Sequence, residues 1–208
     1  MKRILSFIAT FIMLLACVVS LDCGPAPQTS FHYINSPAIA YPYKTINIWV
    51  DKNFGEADRI SIDDAITQWN YALNGSIKLR VISYDFDMEP SILNDVVVKG
   101  EGWLFLKIDH RSNLYHDAPD GHVLAFVNDI GGNRIYFIRD RMINEYMRGV
   151  AMHEIGHLLG ARHDKVYLMQ PYYKFEYYRC IDQETVHMVA EYEHLSESHL
   201  NYCVYGNN

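Results

Sequence analysis

Basic charge is scarce in this 208-residue chain: 18 Lys and Arg stand against 25 Asp and Glu, a formal net charge of −7. With no basic surplus to displace counterions from phosphates, nucleic acid is excluded as a partner. Glycine (12) and proline (7) are too few for a collagen-like fibre, and 21% charged residues beside 50% apolar ones exclude a disordered tail. A mean hydropathy of −0.11 excludes a polytopic membrane protein. Internal repeats and low-complexity tracts are absent. What is present is enough apolar material for one good-sized packed domain, expected to be a monomer.

The N-terminus reads as an export signal over residues 1–20. Lys2 and Arg3 are a short positive segment, and Ile4 to Leu15 is apolar apart from Ser6 and Thr10. Two processing routes fit. Leu14-Leu15-Ala16-Cys17 resembles a lipobox, in which Cys17 would be lipidated and would anchor the chain to a membrane. A cut after Val18-Val19-Ser20 would release it instead. Either way the chain is exported, so its few cysteines (four) merit a disulfide reading. Once Cys17 is set aside an odd number remains. Cys180 and Cys203 flank a C-terminal helical stretch, and their pairing is favoured over one with Cys23.

Residues 21–43, with Pro25, Pro27, Pro37 and Pro42, read as an extended leader. From residue 44 onward the signals alternate. Strands are expected at 45–50, 77–84, 103–108, 123–127 and 135–138, with a short piece at 96–98. Helices are expected at 57–73, with Ile60, Ala65, Ile66, Trp69 and Leu73 on the buried face, at 142–159 and at 183–195. The order describes a three-layer α/β or α+β domain with the first helix packed on a twisted sheet.

The second helix carries His153-Glu154-Ile155-Gly156-His157, followed by Gly160 and His163. Histidines four apart stand one above the other on a helix, so both imidazoles can reach one metal ion. Glu154 can then address a metal-bound water without being a ligand. Gly160 permits the left-handed turn that ends the helix and lets His163 come back as a third ligand. Three imidazoles leave a fourth tetrahedral position open, as in catalytic zinc; a structural zinc would close with another protein ligand, often Cys.

The run HEIGHLLGARH, followed by Leu168-Met169-Gln170-Pro171, resembles the metzincin metallopeptidases, and most closely the catalytic domain of a matrixin. Asp164 is more reminiscent of the adamalysin branch, and the link from His163 to Met169 is short for a matrixin. The resemblance implies a zincin fold over residues 44–208: a twisted, mixed five-stranded sheet with an active-site helix and a C-terminal helix. It implies that Met169 forms a tight turn packed beneath the metal. It also implies that the strand carrying Leu124, Ala125 and Phe126 aligns an extended peptide. Pro171 and Tyr172 would wall the pocket for the residue after the cleaved bond, with Tyr172 or Tyr173 available to an oxyanion. Matrixins often hold a second zinc and calcium; His110, His116, Asp117, Asp120 and His122 lie in the corresponding region without reproducing the ligand pattern. Cys23-Gly24-Pro25 is a faint echo of the latency cysteine of matrixin pro-peptides.

The expected function is that of an exported zinc metalloendopeptidase acting on proteins or peptides, with His153, His157 and His163 on one zinc ion and Glu154 as general base. The alternative is a catalytically silent surface protein that keeps zinc for stability or partner recognition.

Overall fold

The computed structural model describes residues 30–37, 40, 42–87, 102–110, 121–127, 129–165, 167–174 and 178–206. The expected signal segment, Cys17, Cys23, the short strand at 96–98, and His116, Asp117 and Asp120 lie outside these. The elements are strands β1 (Phe31–Ile34) and β2 (Lys44–Asp51), helix α1 (Glu56–Leu73), then strands β3 (Ile77–Phe86), β4 (Gly102–Ile108), β5 (Ala125–Val127) and β6 (Arg134–Ile138). Helices α2 (Asn144–Leu158) and α3 (Gln183–Glu193) and strand β7 (Tyr202–Tyr205) complete the order. Among the described residues, no helix is long and apolar enough to cross a membrane.

The architecture is α+β around a mixed five-stranded sheet of order β3-β2-β4-β6-β5. Its first four strands run parallel, and β5 closes one edge antiparallel to β6, with Ala125 opposite Phe137 and Val127 opposite Ile135. Parallel neighbours need a crossover, which α1 supplies between β2 and β3. Alternation along β4 splits two cores. Trp103 and Phe105 join the main core with Ile46, Ile48 and Val50 and with the helices. Leu104, Leu106 and Ile108 pack on the opposite face with Phe86 and Tyr136.

Helix α1 buries Ile62, Ala65, Ile66, Trp69, Ala72 and Leu73. Ile60 is not on that face and is 56% exposed. At about 100° per residue it lies some 120° from Ile66, whereas Ile62 falls within the apolar stripe. Trp69 is fully buried and its indole N–H donates to the carbonyl of Met152 at 2.8 Å, tying α1 to α2. Asn74 in the left-handed conformation (φ 45°) ends α1, followed by Gly75 at φ 85°.

Three further expectations need correction. The leader contains a strand: β1 pairs antiparallel with β7, Phe31 opposite Tyr205 and Ile34 opposite Tyr202, in a second, two-stranded sheet. Strand β5 begins at Ala125, not Val123. Leu124 still accepts a hydrogen bond from the Ile138 amide, but Val123 is held by Arg141. Helix α2 begins at Asn144, because residues 139–141 form a separate single 3-10 turn whose Arg139 bridges Asp58, Met142 and Asn144.

Candidate metal centre

One helical turn separates His153 from His157, and their rings stand 4.7 Å apart and perpendicular. Helix α2 then ends. Ala161 donates back to the Gly156 carbonyl at 2.9 Å, and Gly160 takes φ +94°. A Cβ there would lie 2.0 Å from the Tyr192 ring, so both backbone and packing demand glycine. The reversal brings His163 back, with Nε2 3.1 Å from Nε2 of His157. One ring nitrogen from each of the three histidines lies within 4.8 Å of the others; among the described residues this is the group of His, Cys, Asp or Glu able to hold a metal ion.

The backbone selects the tautomers. His153 Nδ1 lies 2.7 Å from the Leu168 carbonyl and His157 Nδ1 lies 2.8 Å from that of Ala161. A carbonyl only accepts, so Nδ1 carries the proton in both rings and Nε2 keeps its lone pair. Burial, and then the neighbouring His157, push His153 down to about 3. Burial likewise lowers His157 to about 4, and lowers His163. All three are neutral at pH 7, the state a divalent metal requires of an imidazole.

Glu154 is buried beside them. Burial lifts its carboxyl to about 8, and its Oε2 has no hydrogen-bond partner. An orphaned buried carboxylate oxygen beside three lone-pair nitrogens fits a cation with its water and is otherwise an unfavourable arrangement. The donor set, three imidazoles, suits a first-row transition metal better than calcium or magnesium.

Met169 closes the floor. It is fully buried in a 3-10 turn (Tyr167–Met169), and its carbonyl accepts from the Asp164 amide at 2.9 Å. Its sulfur fills the space a side chain at Gly156 would need, 2.8 Å from an added Cβ. The histidines and Glu154 open into a cleft of about 920 Å³ that Leu124, Ala125 and Phe126 line from the sheet edge, with Pro171 and Tyr172 also contributing. Tyr172 is 77% exposed at the rim, whereas Tyr173 packs between Tyr146 and Tyr178 at 4.5 and 4.4 Å. His122 also lines the cleft, while His110 is bound to Asp140 at 2.7 Å.

Cys180 and Cys203 are joined by a disulfide. Two residues near it were not anticipated from sequence. Tyr178 stacks on His153, and Asp182 caps α3 while accepting from the Leu168 amide. Asp182 carried a signal, standing just before the expected helix start at 183 with Thr185 at its third position. Tyr178 carried none.

No protein-family model matches the chain. No curated protein matches its sequence. Among solved structures the fold is similar to that of metalloproteinase-II from Bacteroides fragilis, at 19% identity and a TM-score of 0.51 over 81% of this chain. The match spans 59% of that protein's chain. The fold is therefore α+β and similar to that of a metalloproteinase, with a five-stranded mixed sheet and a three-histidine cluster at the end of its second helix.

Proposed function

We propose that the chain is a zinc-dependent metalloendopeptidase, with residues 44–208 forming a matrixin-like catalytic domain. The observation that carries this is the buried Glu154 carboxyl, whose Oε2 has no hydrogen-bond partner, beside three neutral histidines, in a cleft bordered by the terminal strand of a sheet. His153, His157 and His163 would hold the ion through Nε2. Zinc in such a set supplies Lewis acidity toward a carbonyl and lowers the pKa of water to about 7. Glu154, ionised more readily beside a cation than in its bare buried site, takes the proton of the attacking water. It then hands that proton to the amine as the C–N bond breaks. Strand β5 offers an edge on which an extended peptide can pair through main-chain hydrogen bonds. Pro171 and Tyr172 flank the side chain beyond the scissile bond.

The same reading places the protein outside the cytosol. The Lys2-Arg3 and apolar 4–15 pattern supports export, as does the Cys180–Cys203 disulfide. Anchoring through a lipid on Cys17 is tested by Cys17→Ser: movement from membrane to medium supports it, and unchanged partition refutes it.

The deciding experiment is cleavage of quenched peptides by the chain from Leu21 onward, with zinc, with a chelator, and with Glu154→Ala. Zinc-dependent cleavage lost in the variant is expected. Zinc bound without cleavage of any peptide would favour the catalytically silent alternative, and failure to bind zinc would refute the proposal.

A further inference from the structure

The two side chains that stand behind His153 come from either side of one cysteine. Tyr178, two residues before Cys180, lays its ring on the His153 imidazole at 5.5 Å and 14°. Its hydroxyl donates to the Gln170 carbonyl at 2.7 Å and lies 3.2 Å from His153 Nδ1. With its single proton committed to Gln170, the phenol oxygen faces the Nδ1–H as an acceptor. Asp182, two residues after Cys180, acts one bond further back. Its Oδ2 accepts from the Leu168 amide at 3.2 Å, and the carbonyl of Leu168 is the one that accepts from His153 Nδ1 at 2.7 Å. Asp182 is itself fixed by Thr185, whose amide and hydroxyl donate to it at 3.0 and 2.8 Å.

Strand β7 fastens both ends of this arrangement. Cys203 is bonded to Cys180, and its amide donates to the Ile181 carbonyl at 2.9 Å. Tyr205 stacks on Tyr167 at 4.6 Å and 2°, directly before Leu168, where the backbone sits at φ +61°. A bulky residue in that left-handed region persists only when its surroundings hold it.

We propose that residues 178–182 form a disulfide-fastened strap that positions His153 for metal binding, with Tyr178 and Asp182 as positioning residues. The inference rests on the reading of His153, His157 and His163 as metal ligands. An imidazole presents Nε2 to a metal only when its ring plane and tautomer are fixed, which is the work of whatever holds Nδ1. For His153 that work falls to the stacked phenol and the Leu168 carbonyl, both governed by the strap. For His157 it falls to Ala161, four residues on in the same helix cap. Loosening the strap therefore disturbs one ligand and leaves the other two in place.

The test is zinc affinity of the metal-stripped chain, measured by competition with a chromophoric chelator for wild type, Tyr178→Phe, Asp182→Asn and the double variant Cys180→Ala/Cys203→Ala. Visible absorption of the cobalt(II)-loaded proteins and urea unfolding of the metal-free chains accompany it. Tyr178→Phe and Asp182→Asn are each expected to bind zinc about tenfold more weakly, and the double variant up to about a hundredfold, with altered cobalt bands. The metal-free unfolding midpoint of Tyr178→Phe should fall only slightly, by the loss of the one hydrogen bond to Gln170. If the double variant does not fold, the two single variants decide. Wild-type zinc affinity and cobalt spectrum in Tyr178→Phe and Asp182→Asn would overturn the strap while leaving the metal centre standing. A wild-type chain that binds neither zinc nor cobalt would remove both.

Discussion

Replacing Glu154 by Gln gives an effect on stability that is separable from its effect on catalysis. Burial raises the Glu154 carboxyl from its ordinary 4.5 to about 8 in the metal-free chain. A raised native pKa means stability is fully present below the unfolded value, and is lost as pH rises through the native one. At about 1.36 kcal/mol per unit, holding Glu154 in this site costs stability of roughly 5 kcal/mol above pH 9, about 3 at pH 7 and about 1 at pH 5, as the unfolded chain ionises first. Gln has the same shape and no charge, so its burial cost does not change with pH. The difference in unfolding free energy between Glu154→Gln and wild type should therefore grow by several kcal/mol between pH 5.5 and 9. The depressed histidines act in the opposite sense, costing stability as pH falls below about 6.5, but they are common to both chains and cancel. Urea unfolding of the metal-stripped proteins across that range is the assay. Parallel curves would refute the reasoning, since they would mean Glu154 is not held ionisable in an unpartnered, water-poor site. On the proposed peptidase reading, the same substitution in the zinc-loaded chain should lower peptide cleavage by about 10²–10⁴-fold, the usual contribution of a positioned acid–base group.

Other outcomes follow from the same geometry. Because His153 and His157 are held down to about 3 and 4, protons should not compete for their Nε2 atoms until well below the usual imidazole range. In Glu154→Gln, zinc affinity by equilibrium dialysis should therefore vary little from pH 8 to 7, whereas in wild type it should fall about tenfold per unit below pH 8 as zinc must expel the Glu154 proton; a tenfold loss between pH 8 and 7 in the variant would contradict this. Gly160→Ala combines a left-handed backbone at φ +94° with a clash on Tyr192 and should cost at least about 2 kcal/mol in unfolding free energy. Removing the Cys180–Cys203 bridge, which closes a separation of 23 residues, should cost about 3 kcal/mol of chain entropy by denaturant titration.

The metal cluster was legible because most of it is local. A spacing of four from His153 to His157, a glycine at the helix end and a spacing of six on to His163 are distances that a helix and one reversed turn convert directly into proximity. The strands were legible for a similar reason: β-branched alternation in β2 and β3 is a property of each segment alone. Ile60 was misplaced because its apolar character says nothing about angle. The spacing of about 100° per residue sets Ile60 about 120° from Ile66 and Ile62 beside Ile66, so the helical period counted residue by residue marks Ile62 as the buried one. The strand β1 was missed because its partner, β7, lies about 170 residues away, and the proline-rich leader around it reads as irregular.

The sequence by itself therefore determined the kind of chemistry: which residues can gather round one metal, where the helix bearing them stops, and which short turn follows. Tertiary structure decided the state those residues are in. Burial keeps three histidines neutral, and Glu154 Oε2 is left without a hydrogen-bond partner. The order of the sheet puts Leu124, Ala125 and Phe126 on the cleft, and β7 brings Tyr178 and Asp182 behind His153. Ring orientation and carboxyl ionisation depend on which distant groups exclude water and supply hydrogen bonds, and those contacts exist only once the chain is packed.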